Sequence, residues 1–149
     1  MDNLIFEQYQ YLIECNNDEI SILANTSAFI MQTFEDISWA GFYILKNNEL
    51  VLGPFQGKVA CTNIPLQKGV CGQAASTQKT IIVENVHEFS GHFACDSASN
   101  SEIVIPIMIC DQLYGVLDLD STSLSRFGKK DQIIFEQIVQ RLVQQLKKS

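Results

Sequence analysis

Two runs of apolar, strand-forming residues joined by a three-residue turn constrain this chain more than any other feature. Residues 103–109 (Ile-Val-Ile-Pro-Ile-Met-Ile) lead into Cys110-Asp111-Gln112, and residues 113–120 (Leu-Tyr-Gly-Val-Leu-Asp-Leu-Asp) follow. Aliphatic and β-branched residues at this density, broken only by a turn, predict a hairpin. Pro106 predicts a bulge or an edge there, because proline cannot donate to a strand ladder. On the returning strand the period of two sends Asp118 and Asp120 to one face and Leu117 and Leu119 to the other.

A second hairpin is predicted upstream. Residues 37–45 (Ile-Ser-Trp-Ala-Gly-Phe-Tyr-Ile-Leu) form its first strand, Lys46-Asn47-Asn48-Glu49 its turn, and residues 50–52 its return. Trp39, Gly41 and Tyr43 share a face. They either pack on the core or wall a small pocket, with the glycine leaving room. Residues 57–62 predict another strand ending near Cys61, and residues 80–83 a short one. The helix-friendly residues 73–78 put Cys71 near a helix N-terminus, a position that favours a thiolate.

Helical periodicity covers residues 4–15, with Ile5, Tyr9, Leu12 and Ile13 on one face. Asp18 is the predicted cap of a second helix whose buried stripe is Ile20, Leu23, Ser27, Ile30, Met31 and Phe34. A last helix, after Arg126-Phe127-Gly128, buries Phe135, Ile138, Val139, Leu142, Val143 and Leu146. This order predicts one antiparallel α+β domain over residues 1–149, with its helices largely segregated. Helices occupy 1–35, the sheet and its loops 36–127, and the closing helix 128–149. Parallel βαβ repeats are missing, and Gly69-Val70-Cys71-Gly72 is too short for a phosphate loop and lacks its lysine.

The net charge of −7, with no basic stripe, argues against a nucleic-acid partner. No apolar run approaches the roughly 18 residues of a membrane span, and the first residues lack a signal peptide's basic head. A cytoplasmic location is expected. The five cysteines (Cys15, Cys61, Cys71, Cys95, Cys110) are odd in number and irregularly spaced, unlike a secreted disulfide scaffold. In a reducing compartment they are core residues, metal ligands or redox-active thiols.

The chemistry concentrates in the polar stretch from Gly91 to Glu102, which contains His92, Cys95 and Asp96 among small residues. Small neighbours leave a sulfur accessible, so Cys95 reads as a working thiol. Glu102 opens one strand of the 103–120 hairpin, and Asp118 and Asp120 close the other. Pairing therefore brings three carboxylates together beside that loop. Crowded acids repel, so one should hold its proton toward neutrality and serve as a donor; together they also seat an ammonium. The plainer reading makes them solvated strand ends. Cys61 and Cys71 are each either structural or a resolving thiol for Cys95, while Cys15 and Cys110 read as ordinary structural residues. A metal site at His92 and Cys95 with Cys61 or Cys71 lacks the paired Cys-x-x-Cys spacing, so no metal is expected. His87 and His92 read as loop hydrogen-bonders.

These residues resemble a known family. Trp39-Ala-Gly-Phe-Tyr43, Gly69-Val-Cys-Gly72, the Gly91–Glu102 stretch and Gly115-Val-Leu-Asp-Leu-Asp-Ser121 are similar to the free methionine-(R)-sulfoxide reductases, single-domain enzymes of the GAF superfamily. The resemblance implies a central six-stranded antiparallel sheet flanked by N-terminal and C-terminal helices, and often a homodimer. It implies that Cys95 attacks the sulfoxide sulfur of free methionine sulfoxide and becomes a sulfenic acid. Cys61 then forms a redox-active disulfide with Cys95, and Cys71 is a second recycling thiol. Thioredoxin, supplied by NADPH through thioredoxin reductase, is the external reductant, with no bound cofactor. Glu102, Asp118 and Asp120 would hold the ammonium, Glu102 and Asp120 helping to protonate the oxygen, and Trp39 and Tyr43 would enclose the methyl end. The alternatives are a non-catalytic GAF module that binds a small molecule, and a thiol redox sensor.

Overall fold

The computed structural model describes residues 3–91 and 98–148. Two helices open the chain, α1 (Asn3–Glu14) and α2 (Glu19–Thr33). The predicted cap forms: the Ser21 amide donates to the Asp18 carboxylate at 3.1 Å. α1 buries Phe6, Tyr9 and Ile13, while α2 buries Ile22, Leu23, Thr26, Ser27, Phe29 and Ile30. Leu12 and Ile20, assigned to those stripes by periodicity, are exposed instead, Ile20 by 68%. Phe6 and Ile22 turn inward in their place. Both helices are apolar on more than one side, and the direction of packing chooses the face. Burying Thr26 and Ser27 costs little because their hydroxyls donate to the Ile22 and Leu23 carbonyls one turn back.

The strands are β1 (Trp39–Lys46), β2 (Glu49–Gln56), β3 (Asn63–Pro65), β4 (Ile81–Val83), β5 (Ser101–Ile109) and β6 (Gln112–Ser121). They are joined by α3 (Gly69–Thr77) and followed by α4 (Lys129–Leu146). They form one sheet in the order β3-β2-β1-β6-β5-β4, antiparallel at every junction. The six-stranded antiparallel α+β expectation is met. Both predicted hairpins form, and they lie side by side through β1 and β6. Among the described residues, no helix is long and apolar enough to cross a membrane.

Two prolines inside strands have a common explanation. β4 pairs with β5 only as far as Val104, so Pro106 lies beyond it on an open edge. β3 pairs with β2 only from Glu49 to Val51, and Pro54 lies beyond that limit. The β1–β2 register also shifts there, from Tyr43↔Leu52 to Gly41↔Phe55, which leaves Gly53 and Pro54 in a bulge. β2 therefore runs on to Gln56, four residues past the sequence expectation.

The strand expected at 57–62 does not form; the pairing segment is Asn63–Pro65. Gly57 turns the chain with φ of +135°, a conformation that favours glycine, and its backbone passes so close to the Trp39 indole that a Cβ would collide. Residues 58–61 then cross the sheet face as a strap. Carbonyls that a strand would give to a neighbouring strand go instead to side chains, as described below.

The sheet has two apolar faces. On one, Ala40, Phe42, Ile103, Ile105, Ile107, Leu117 and Leu119 pack against α2 and α4, with α1 packed on those two helices in the same core. On the other, Trp39, Tyr43, Val104 and Val116 pack against Ile64 and the α3 residues Val70, Cys71, Ala74 and Ala75. α4 buries Phe135, Ile138, Val139, Leu142 and Leu146 as expected, and also Ile134; Val143 is only partly buried. Three helices thus seal one face, and the single short α3 leaves room on the other.

Candidate active site

The room beside α3 is a cavity lined by Trp39, Tyr43, Cys71, Ser99, Glu102, Asp118 and Asp120, with Val59 and Ala60 of the strap and Lys68 at its border. Sheet register builds its acidic wall. Glu102 faces Asp120 across β5 and β6, and Asp118 sits two residues along, opposite Val104. Because 102, 104, 118 and 120 share one face, the three carboxylates meet as the hairpin argument required. β1 completes the wall, with Trp39 opposite Asp120 and Gly41 opposite Asp118.

Trp39 stacks between Tyr43 and Phe55, at centroid distances of 5.9 and 5.1 Å. Gly41 admits this arrangement, since a Cβ there would press on Phe55 and on the Trp39 ring. The two aromatic residues also hold the strap. The Trp39 indole N–H donates to the Lys58 carbonyl at 3.0 Å, and the Tyr43 hydroxyl donates to the Cys61 carbonyl at 3.0 Å. Tyr43 thereby ties the backbone of Cys61 to β1. Phe55 escaped the sequence reading because Gly53-Pro54 looked like the end of β2. Ser99, 6% exposed, carries no signal in a run of small polar residues.

Asp118 and Asp120 are only 5% and 8% exposed, and Glu102 is partly buried. Burial pushes the Asp118 carboxyl well above its usual range, and the Asp120 charge adds to it. Burial also raises Glu102 well above its usual range, with the Asp118 charge as the next cause. Asp118 Oδ1 is buried and has no hydrogen-bond partner among the described residues. A buried carboxylate oxygen left unpaired costs about 1–3 kcal/mol or more, so this atom is a vacant seat for a donor.

Cys71 lies in the first turn of α3, as expected, but it is not poised as a thiolate. It is 5% exposed, and burial together with the Asp118, Glu102 and Asp120 charges pushes its thiol well above the usual value. A helix N-terminus offers about 0.3–1 kcal/mol toward an anion, which burial among carboxylates outweighs. Cys61 is disulfide-bonded, whereas Cys15, Cys71 and Cys110 are free. Cys95 and His92 lie outside the described residues.

The acid pair affects stability with a definite sign. Asp118 and Glu102 bind protons more tightly in the folded chain than at the ordinary values of 3.8 and 4.5. Their contribution is therefore full below those values and is lost as pH rises through the elevated folded values. Thermal denaturation of the ligand-free protein should show Tm falling from mildly acidic to alkaline pH. Asp118→Asn should flatten that fall and be the more stable form at pH 8, by at least about 1 kcal/mol or roughly 2–4 °C. If Asp118→Asn melted below the parent at pH 8, the buried-acid description would be contradicted.

Comparison with known proteins agrees with the fold. The GAF domain family model matches residues 18–144. The free methionine-R-sulfoxide reductase of Escherichia coli is 52% identical over 129 residues, covering 87% of this chain and 76% of that protein. Among solved structures, the fRMsr of Staphylococcus aureus in complex with substrate superposes with a TM-score of 0.92 at 46% identity, covering 97% of this chain and 94% of that one. The free methionine-R-sulfoxide reductase from Neisseria meningitidis, also in complex with its substrate, gives 0.93 at 37% identity, with 96% and 86% coverage. The chain belongs to the GAF-domain family and, within it, to the free methionine-R-sulfoxide reductases.

Proposed function

We propose that this protein reduces free L-methionine (R)-S-oxide to L-methionine. The observation that carries the reading is the convergence of Glu102, Asp118 and Asp120 on one wall, with a buried Asp118 oxygen unpaired, beside a stacked Trp39–Tyr43 pair on the same sheet face. A free amino acid supplies the ammonium that such a wall lacks, and its methylsulfinyl end suits the aromatic side.

In the proposed reaction the Cys95 thiolate attacks the sulfoxide sulfur while a carboxylic acid protonates the departing oxygen. Attack forms a bond between the Cys95 sulfur and the substrate sulfur. The protonated oxygen then passes to the Cys95 sulfur as the substrate S–O bond and the new S–S bond break, so methionine leaves as the thioether and Cys95 is left as a sulfenic acid. Burial, with carboxylate neighbours, raises the proton affinity of Glu102 and Asp118, which supports a carboxylic acid as the proton donor. The Cys61 thiol then attacks the sulfenic acid, releasing water and closing a disulfide. The disulfide-bonded state of Cys61 and its tether to Tyr43 support this role. Thioredoxin, supplied by NADPH through thioredoxin reductase, returns both thiols. The protein works without a bound cofactor.

The free amine is the feature to test. N-acetyl-methionine (R)-S-oxide keeps the reacting group but has no charge for the acids. Its kcat/KM should be at least about a hundredfold lower than that of the free amino acid, because the buried carboxylates go unpaired. Equal efficiency on the two substrates would remove the acidic wall from recognition.

A further inference from the structure

The reaction as proposed has no task for Cys71, although its thiol sits inside the acid cluster. Cys71 Sγ lies 3.9 Å from Glu102 Oε2 as a weak donor, and one atom each from Cys71, Glu102 and Asp118 fall within 4.8 Å of one another. The thiol is held there rigidly. The Gly72 amide donates to the Lys68 carbonyl at 3.0 Å, the Gln67 amide to the Gly72 carbonyl at 3.1 Å, and α3 packs on β5 and β6. Attack on a sulfenic acid or disulfide needs an accessible thiolate. Cys71 is covered and faces Tyr43 from β1, Glu102 from β5, and Asp118 and Asp120 from β6, all neutral or negative groups. Lys68, on the border of the same cavity, is the nearest cation along its own segment.

We propose that Cys71 is a positioning residue, a buried thiol that donates to the acid pair and sets the orientation in which Glu102 and Asp118 meet the substrate. This rests on the reductase reading of the site. The thiol stays reduced through the cycle, so no electrons pass through it. As a donor it favours the charged form of both carboxyls, opposing the burial and mutual repulsion that raise them. Without it, Glu102 and Asp118 should hold their protons to higher pH and pair less well with an ammonium.

The test is single-turnover methionine release by the reduced enzyme without external reductant, followed across pH for the parent, Cys71→Ala and Cys71→Ser. Cys71→Ala should need about three- to tenfold more substrate for half-saturation, in line with losing one weak hydrogen bond to a charged group. Its alkaline limb should move to higher pH, and one equivalent of methionine should still form. Cys71→Ser, which keeps a donor and removes the redox chemistry, should restore most of both losses and recycle normally with thioredoxin. The proposal is overturned if Cys71→Ala shows parental saturation and an unmoved pH limb while thioredoxin-linked turnover is slowed. Should the alanine variant fail to fold, Cys71→Ser decides alone, since loss of recycling in it makes Cys71 a redox thiol. No methionine release from the parent would instead fail the reductase reading and take this inference with it.

Discussion

Cys95→Ser is expected to lose methionine formation by at least about a thousandfold while keeping the fold of the parent. The expectation begins with the chemistry of the reacting atom. A sulfoxide is reduced only if a nucleophile attacks sulfur and then carries away the oxygen. A cysteine thiol reaches its anionic form near neutral pH, and a serine hydroxyl does not. The other thiols are poorly placed to substitute. Cys71 is buried among carboxylates, and Cys15 and Cys110 belong to the N-terminal helix end and the β5–β6 turn, away from the cavity. Among the described residues, the two apolar faces are built mainly from the strands and helices, so the fold is not expected to depend on this sulfur. Mass analysis after exposure to substrate should show the Cys61 thiol free in the variant. Retained activity would mean that the nucleophile is elsewhere.

The second large effect is expected at Asp118. Truncating it to alanine removes a buried carboxylate whose Oδ1 has no partner among the described residues. If that oxygen receives the substrate's ammonium, the loss resembles breaking a buried charge pair, about 2–5 kcal/mol. KM should then rise by roughly 30-fold or more. The N-acetylated substrate gives the control. Removing the amine and removing Asp118 delete the same interaction, so the two losses should fall well short of additive. Full additivity, measured as kcat/KM over the four combinations, would place the amine elsewhere. The same residue is expected to lower ligand-free stability at pH 8, so binding and stability pull Asp118 in opposite directions.

The hairpin register was legible because two departures from the expectation cancel: the turn is Cys110-Asp111 rather than three residues, and a one-residue register shift at Tyr114 restores the pairing that a three-residue turn predicts. In that register Leu117 and Leu119 lie in the core, and Asp118 and Asp120 lie opposite Val104 and Glu102. The aromatic face of β1 was legible from the period of two. Residues 57–62 were not, because they run as a strap at the cavity border, with the Lys58 and Cys61 carbonyls accepting from Trp39 and Tyr43 and only the Thr62 carbonyl accepting from β2. No local pattern distinguishes a strap from a strand when its partners lie 18 and 19 residues back. The ionisation of Cys71 was beyond reach for a related reason. Its place on a helix is a local property, whereas the burial and charge that override the dipole come from β5 and β6. Ile20 and Ile22 show the same limit in the helices, where periodicity offers two faces and tertiary packing chooses one.

The central claim is tested most directly by NADPH consumption in the presence of thioredoxin and thioredoxin reductase, with each epimer of free methionine sulfoxide offered separately and Cys95→Ser run beside the parent. The account predicts turnover of the R epimer alone, lost in the variant, with methionine formed in equal amount to the NADPH consumed. Silence with both epimers, from folded protein with reduced thiols, would contradict it and leave a non-catalytic small-molecule-binding GAF domain.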